Sequence, residues 1–379
     1  MIDLVLNWGI NVFTGWGNVG INIAGLLAND PEFRPIAIVG LEPGHCTGMD
    51  PMRFSQMAKV IEWSSKWQYH DDCIWIDSVG NDLSAPTQNE AFHVGRVIVE
   101  QVPLDRAGRS LRQYDKLLTG SNWSKELLED ATGLTVKCIL EGIDPSLFYP
   151  APKSHFLPEA FYIYSCGKVE FRKGQDVTLM AFKRFSERHP EARLVTVWNS
   201  PFSDIGNGFK GVADAPLWLN ESGFLDIRRW AKDNGVDPAK IYDMGCFPNS
   251  VLPQVLHEMD VMLHPSRIES CTALPVKEAM ACGVPVIAAY HSGMRDLLSD
   301  ENSLPLRHVV PITNGSKEYF FPQSSMEWYE TDPAEIDDRL EWVYQNRDKA
   351  RELGLKASHW VREHRTWGQH VGQLKDWLR

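Results

Sequence analysis

The sequence predicts an α/β protein in which two doubly wound parallel-sheet domains face each other across a central cleft. Three observations carry that reading. The 379 residues amount to about two and a half domains of the usual size of roughly 150 residues. Short Val- and Ile-rich runs recur in two series, continuous rather than alternating, as suits strands covered on both faces. A proline-bearing stretch, Tyr149-Pro150-Ala151-Pro152-Lys153, separates the two series and reads as a linker.

In chain order, strands are expected at 2–8, 34–39, 73–78, 95–99 and 136–140, with intervening stretches long enough for crossover helices. After the linker the strands are 161–166, 193–198, 241–244, 261–264 and 284–289. Helices are expected at 174–188, 250–258, 275–282, 333–352 and 355–375. No sequence repeat relates the halves, so their likeness is one of architecture. Domains of this class bind ligands at the carboxyl ends of their strands, which directs attention to the cleft.

Composition narrows the function classes. Apolar residues make up 43% and charged residues 23%, which is globular. The net charge of −12 and the lack of any basic run argue against a nucleic-acid partner. No apolar run approaches the roughly 20 residues of a membrane-spanning helix, and no basic region precedes the first apolar stretch, so a cytoplasmic location is expected. Seven cysteines without a CxxC pair suit reduced thiols. His359, His364 and His370 lack the HExxH spacing, and no metal site is indicated.

The most informative stretch is His264–Leu298, read as strand, loop, short helix, strand and loop. Pro275 marks the start of the helix and Gly283 its end. The loop Ser270-Cys271-Thr272-Ala273-Leu274 then offers amides at a helix amino terminus, a site for a diphosphate, with Glu278 one turn inside to accept from a ribose diol. Taken alone, Glu278 reads rather as a carboxylate complementing the helix dipole on a solvated face; the second element reverses that preference. A second element, Ser165–Gly174, ends a strand and opens a helix, bringing Lys168, Arg172 and Lys173 to the cleft beside Gly167. Three cations there would neutralise a departing diphosphate without a metal ion, although a cluster of this kind is commonly a solvated turn.

These stretches, GKVEFRKGQDVTLMAFKRFSERHPEARLVTVW, DMGCFPNSVLPQVLHEMDVMLHPSRIES and ALPVKEAMACGVPVIAAYHSG, resemble the carboxyl-terminal domain of family 4 retaining glycosyltransferases of the GT-B fold. Upstream, DKLLTGSNWSKELL and VKCILEGIDPSLFYP are similar to the family's passage into the linker. The resemblance implies two Rossmann-like domains, an acceptor-side one at 1–152 and a nucleotide-sugar-binding one at 153–354, with a helix at 355–379 crossing back to the first. It implies metal-independent transfer of a sugar, with retained configuration, from a nucleotide-diphosphate sugar used as co-substrate; no other cofactor is expected. Lys173 matches the family lysine on the donor phosphates, and Glu278 the second glutamate of an E-x7-E motif. Lys168 stands where the family usually has arginine. The first glutamate falls on Ser270, with Glu269 one residue early, which leaves open which of the two fills that role.

Gly15, Gly17 and Gly20 form a GxGxxG before a helix-like stretch, and Glu42 follows at a distance that also suits a dinucleotide-binding dehydrogenase. The lead-in after the first strand is longer than that fingerprint requires. In the resembled family a glycine-rich loop here, with Gly15, Gly17 and Asn18, closes over the cleft. His93 precedes its strand and Glu100 follows it, so Glu100 is the better placed of these two catalytic candidates. The reading is a glycosyltransferase; the alternatives are a non-catalytic nucleotide-sugar binder and the dehydrogenase. The acceptor is unassigned (glycan, lipid or small molecule), and peripheral membrane contact is compatible with the sequence.

Overall fold

The computed structural model describes residues 1–100, 104–200, 209, 215–312 and 326–379. The first domain runs β1 (Ile2–Asn7), α1 (Gly15–Leu27), β2 (Phe33–Ala37), α2 (Pro51–Lys66), β3 (Ile74–Val79), β4 (Phe92–Val97), α3 (Leu104–Leu111), β5 (Lys116–Thr119), α4 (Asn122–Thr132) and β6 (Val136–Cys138). Its strands pair in parallel in the order β2-β1-β3-β4-β5-β6. Thr14 caps α1 by accepting the Gly17 amide through Oγ1, and Ser121 caps α4 in the same way from Ser124.

The second domain runs β7 (Phe161–Lys168), α5 (Gln175–Arg188), β8 (Ala192–Asn199), α6 (Ile227–Asp233), β9 (Ile241–Asp243), α7 (Leu252–Leu256), β10 (Val261–His264), α8 (Leu274–Ala281), β11 (Val286–Ala289) and β12 (Leu304–Leu306). These strands pair in parallel as β12-β11-β10-β7-β8-β9. A short antiparallel hairpin follows, β13 (Val309–Pro311) with β14 (Tyr329–Thr331), and then α9 (Pro333–Gln345), α10 (Arg347–His364) and α11 (Trp367–Leu378). The runs FYIYS and VMLH are wholly buried, as strands between two helical layers must be. Strand order reverses between β1 and β3 in the first sheet and between β7 and β10 in the second, and such switch points open a crevice at the strands' carboxyl ends.

The carboxyl-terminal helix differs from expectation. The stretch 355–379 does not cross as one helix. Residues up to His364 belong to α10, which stays on the second domain, where Ser358 donates to the Ala281 carbonyl at 2.7 Å. Thr366 then starts a new helix through a reciprocal cap with Gln369, and only α11 crosses. Its Trp367, Val371, Leu374 and Leu378 join Leu4, Val19 and Ile76 in the core of the first domain. The expected helix 333–352 likewise breaks at Asn346, between α9 and α10.

The chain passes between domains twice, and the two passages touch. Ile143 and Trp367 exchange backbone hydrogen bonds with Arg365 and Ile143. Gly142 lies so close that a Cβ on it would stand 2.2 Å from the Thr366 carbonyl carbon, so only glycine fits.

Candidate active site at the cleft

The switch point of the second domain gathers the charged residues. Beyond β7, Gly174 adopts φ 69°, and a Cβ on it would meet the Pro265 carbonyl oxygen at 2.3 Å. This close approach, together with a hydrogen bond from the Arg267 amide to the Arg172 carbonyl at 2.6 Å, presses the 168–174 loop against the loop that follows β10. The result is a buried array of alternating charge. Lys173 Nζ lies 2.7 and 2.8 Å from the two Glu269 oxygens, and His264 Nε2 is 2.8 Å from Oε1. Arg172 approaches Glu170 at 2.6 Å, Glu269 at 3.4 Å and Glu100 of the first domain at 3.5 Å. Lys168 reaches Glu170 at 2.5 Å.

The electrostatics follow from these distances. Burial would raise the Glu269 carboxyl, but Lys173, His264 and Arg172 outweigh it and hold the group well below the ordinary range. Glu170 is likewise lowered against its burial, by Arg172 and Lys168. Glu100 goes the other way, raised by burial that Arg172 only partly offsets. His264 is lowered, chiefly by burial, with Glu269 opposing. Arg172 and Lys173 are not a solvated turn; both side chains are nearly buried, whereas Lys168 is exposed. The expected surplus of positive charge is instead matched by carboxylates.

The chain bends at Ser270, beyond the end of β10, and the side chains of Glu269 and Ser270 go to different partners. The Glu269 carboxylate faces Lys173. Ser270 faces the first domain, where its hydroxyl accepts from the Val99 amide at 3.2 Å and lies 2.8 Å from Ser124 Oγ, while Ser121 Oγ donates to its carbonyl at 2.5 Å. Cys271 packs on Gly120 of the first domain, and burial pushes its thiol far up, which leaves it unactivated. Thr272 Oγ1 accepts from Lys277 at 2.8 Å, and the Ala273 amide contacts Met294 Sδ at 3.5 Å. The loop 270–274, expected to turn its amides toward an anion, is therefore also a seam between domains, with the Ala273 amide already engaged. Leu274 opens α8 and comes closest to Gly15 across the cleft.

Glu278 is buried on α8, where Asn249 Nδ2 donates to its Oε1 at 2.7 Å. Burial raises its carboxyl to about 7. The Asn249 amide in turn donates to the Val12 carbonyl at 2.9 Å, tying this corner to the glycine-rich loop. In that loop Gly15 is exposed to the cleft, and Asn18 sits one turn into α1. Gly17 and Gly20 serve packing, since a Cβ on them would meet the Asn11 carbonyl oxygen at 2.4 Å and Ile10 Cγ1 at 2.6 Å.

The two catalytic candidates of the first domain part company. Glu100 lies beyond the carboxyl end of β4, its carbonyl accepting from Trp328 Nε1 at 2.9 Å, and joins the charged array. His93 is the second residue of β4, at the opposite end, buried between Asp77 and Asn89 at 3.2 and 2.8 Å. Lys168, Gly167, Arg172, Lys173, Glu269 and Glu100 are thus brought together, with Glu278 nearby on α8, and His93 stands apart. Sequence reasoning missed His264, Glu170 and Asn249. The strand-end rule could have found His264, the last residue of β10.

Residues 160–318 match the family model described as "Glycosyl transferases group 1". A D-inositol 3-phosphate glycosyltransferase of Stackebrandtia nassauensis is 30% identical over 208 residues, covering 50% of this chain and 42% of that protein. A second such enzyme, from Catenulispora acidiphila, is 27% identical over 177 residues, covering 44% and 38%. The alignments thus span less than half the length of either relative. Among solved structures, sucrose-phosphate synthase (tll1590) from Thermosynechococcus elongatus superposes with a TM-score of 0.66 at 16% identity, over 100% of this chain and 98% of its own. Anabaena Alr3699/HepE in complex with UDP-glucose gives 0.66 at 15%, over 100% and 99%. The chain has the GT-B fold, and its second domain is similar to group 1 glycosyl transferases over residues 160–318.

Proposed function

We propose that the protein is a family 4-type retaining glycosyltransferase that moves a sugar from a nucleotide-diphosphate sugar onto an acceptor held mainly by the first domain. The observation that carries this reading is the placement of Lys173 and Arg172 at the switch point of the second domain, on the same rim as Glu278. The relatives named for glycosyl transfer, and a structural neighbour in complex with UDP-glucose, support it.

In this reading the diphosphate of the donor lies against Arg172 and Lys173, which stabilise the charge that develops as the leaving group departs. These cations stand in for a divalent ion, so the reaction is proposed to be metal-independent. Glu278 accepts from the ribose diol, and Glu269 accepts from hydroxyls of the donor sugar while holding Lys173 in place. The acceptor oxygen attacks the anomeric carbon on the face the diphosphate leaves, and a leaving phosphate oxygen takes its proton, so configuration is kept. Glu100 lines the acceptor side of that centre. A cytoplasmic location is part of the proposal.

The test is a panel of nucleotide sugars with thermal-shift and turnover readouts. Stabilisation by a nucleoside diphosphate, with hydrolysis or transfer from one donor, is the expected result. Stabilisation without turnover from any donor would favour a binding protein, and stabilisation by NAD(H) alone a dehydrogenase.

A further inference from the structure

Three charged side chains lie buried where the domains and the linker meet, away from the array around Lys173. Arg96 of β4, Glu141 of the stretch between β6 and the linker, and Lys277 of α8 are 2%, 4% and 0% exposed. Arg96 Nη2 donates to Glu141 Oε1 at 2.7 Å. Lys277 Nζ is 3.5 Å from Glu141 Oε2, donates to the Glu141 carbonyl at 3.2 Å and to Thr272 Oγ1 at 2.8 Å. The Arg96 guanidinium also lies 5.8 Å from the ring centre of Trp16, in the first turn of α1. Burying charges costs several kcal/mol per ion, and apolar residues of similar volume usually serve stability as well or better. A network of this kind suits a role in fixing geometry.

Its connections define that geometry. Glu141 directly precedes Gly142, the point at which the outgoing stretch touches the returning chain. Lys277 directly precedes Glu278, and Thr272 belongs to the loop after Glu269. Through one carboxylate, the strand below the acceptor side, the hinge and the helix bearing Glu278 are held in one register. We propose that Arg96, Glu141 and Lys277 form an interdomain latch that sets the relative arrangement of the two domains and so positions Glu278 for nucleotide. The positional part rests on the proposed function; the latch does not.

The test uses the full chain carrying Lys277→Met, which removes one charge while keeping length, and separately Glu141→Gln. Solution scattering without ligand reads the latch directly. Both variants are expected to show a larger radius of gyration than the wild type, with the circular dichroism of a folded protein. UDP affinity by calorimetry is expected to fall about tenfold, a loss of ~1.4 kcal/mol, and donor KM to rise in step with little change in kcat. Unchanged scattering in a folded variant would overturn the latch. Expanded scattering with wild-type UDP affinity would overturn its positioning of Glu278. If Lys277→Met does not fold, Glu141→Gln decides by the same readings, and Arg96→Met replaces it should that variant also fail. A wild type that binds no nucleotide counts against the proposed function, and scattering still decides the latch.

Discussion

Lys173 and Glu269, 96 residues apart in sequence, form a two-pronged ion pair at 2.7 and 2.8 Å at the carboxyl edge of the second sheet. The lysine is held by a carboxylate that Arg172 and His264 also contact, so its ammonium is fixed before any ligand arrives. Preorganisation of this kind is what an anion-stabilising site requires.

Replacing Lys173 with alanine should therefore cost more than one contact. Turnover from a nucleotide sugar is expected to drop by about a hundredfold or more. Stability should fall by ~1–3 kcal/mol, because buried Glu269 loses its nearest cation. Steady-state kinetics and urea unfolding check the two effects separately.

Glu278 titrates near 7 in the folded chain, against 4.5 for an ordinary glutamate, because burial disfavours its charged form. Between those values the native state holds a proton that the unfolded chain has released, so raising pH favours unfolding. Its contribution is present below about 4.5 and is lost as pH rises through about 7. Glu278→Gln should remove that slope in unfolding curves across this window. UDP affinity should increase as pH rises through 7 in the wild type and not in the variant.

His370 behaves in the opposite sense. Burial, assisted by Arg96, lowers it to about 3 while its Nδ1 lies 3.0 Å from the Leu140 carbonyl. From 6.5 down toward 3 the unfolded chain binds a proton that the native state does not, so acid favours unfolding. His370→Asn, which keeps a donor for Leu140, should flatten the acid side of the stability profile, as melting temperatures from pH 4 to 7 would show.

His93 provides the contrast with Glu100. His93→Ala should lower the melting temperature by breaking its contacts with Asp77 and Asn89, with kcat close to wild type. Glu100→Ala should lower kcat. A kinetic comparison of the two variants on one donor checks the assignment.

Two glycines of the crossing region should respond oppositely to alanine. Gly142→Ala drives a methyl into the Thr366 and Trp367 backbone and should destabilise by more than ~2 kcal/mol. Gly372, exposed on α11 with open space around its Cβ position, should gain ~0.5–1 kcal/mol from helix propensity. Denaturant midpoints of the two variants give the comparison.

Much of this was legible because parallel strands announce themselves. The apolar runs before Lys168 and at 261–264 needed only the rule that ligands gather at strand ends to bring Lys173 and Glu269 into one crevice. Pro275 and Gly283 framed α8 to within one residue of its actual bounds. What failed to show was pairing across long sequence distances. Glu170 sits among three cations and was passed over as part of a basic turn, although it neutralises two of them. Nothing local to Lys277 reveals that Glu141 lies beneath it. The break between α10 and α11 lacks a proline to mark it and is declared by the Thr366–Gln369 cap. The strand begins at Phe92, earlier than the apolar run suggested, so His93 lies just inside its entrance instead of before it.

The return of α11 makes the first domain a discontinuous stretch of sequence, while the second runs without a break from β7 to α10. A recombinant fragment ending near Pro150 would expose the apolar seam of Leu4, Val19 and Ile76 that Trp367, Val371 and Leu374 cover. A fragment carrying the whole first domain must join the stretch up to Gly142 with α11, and the contact between Ile143 and Trp367 marks where a short artificial loop could join them.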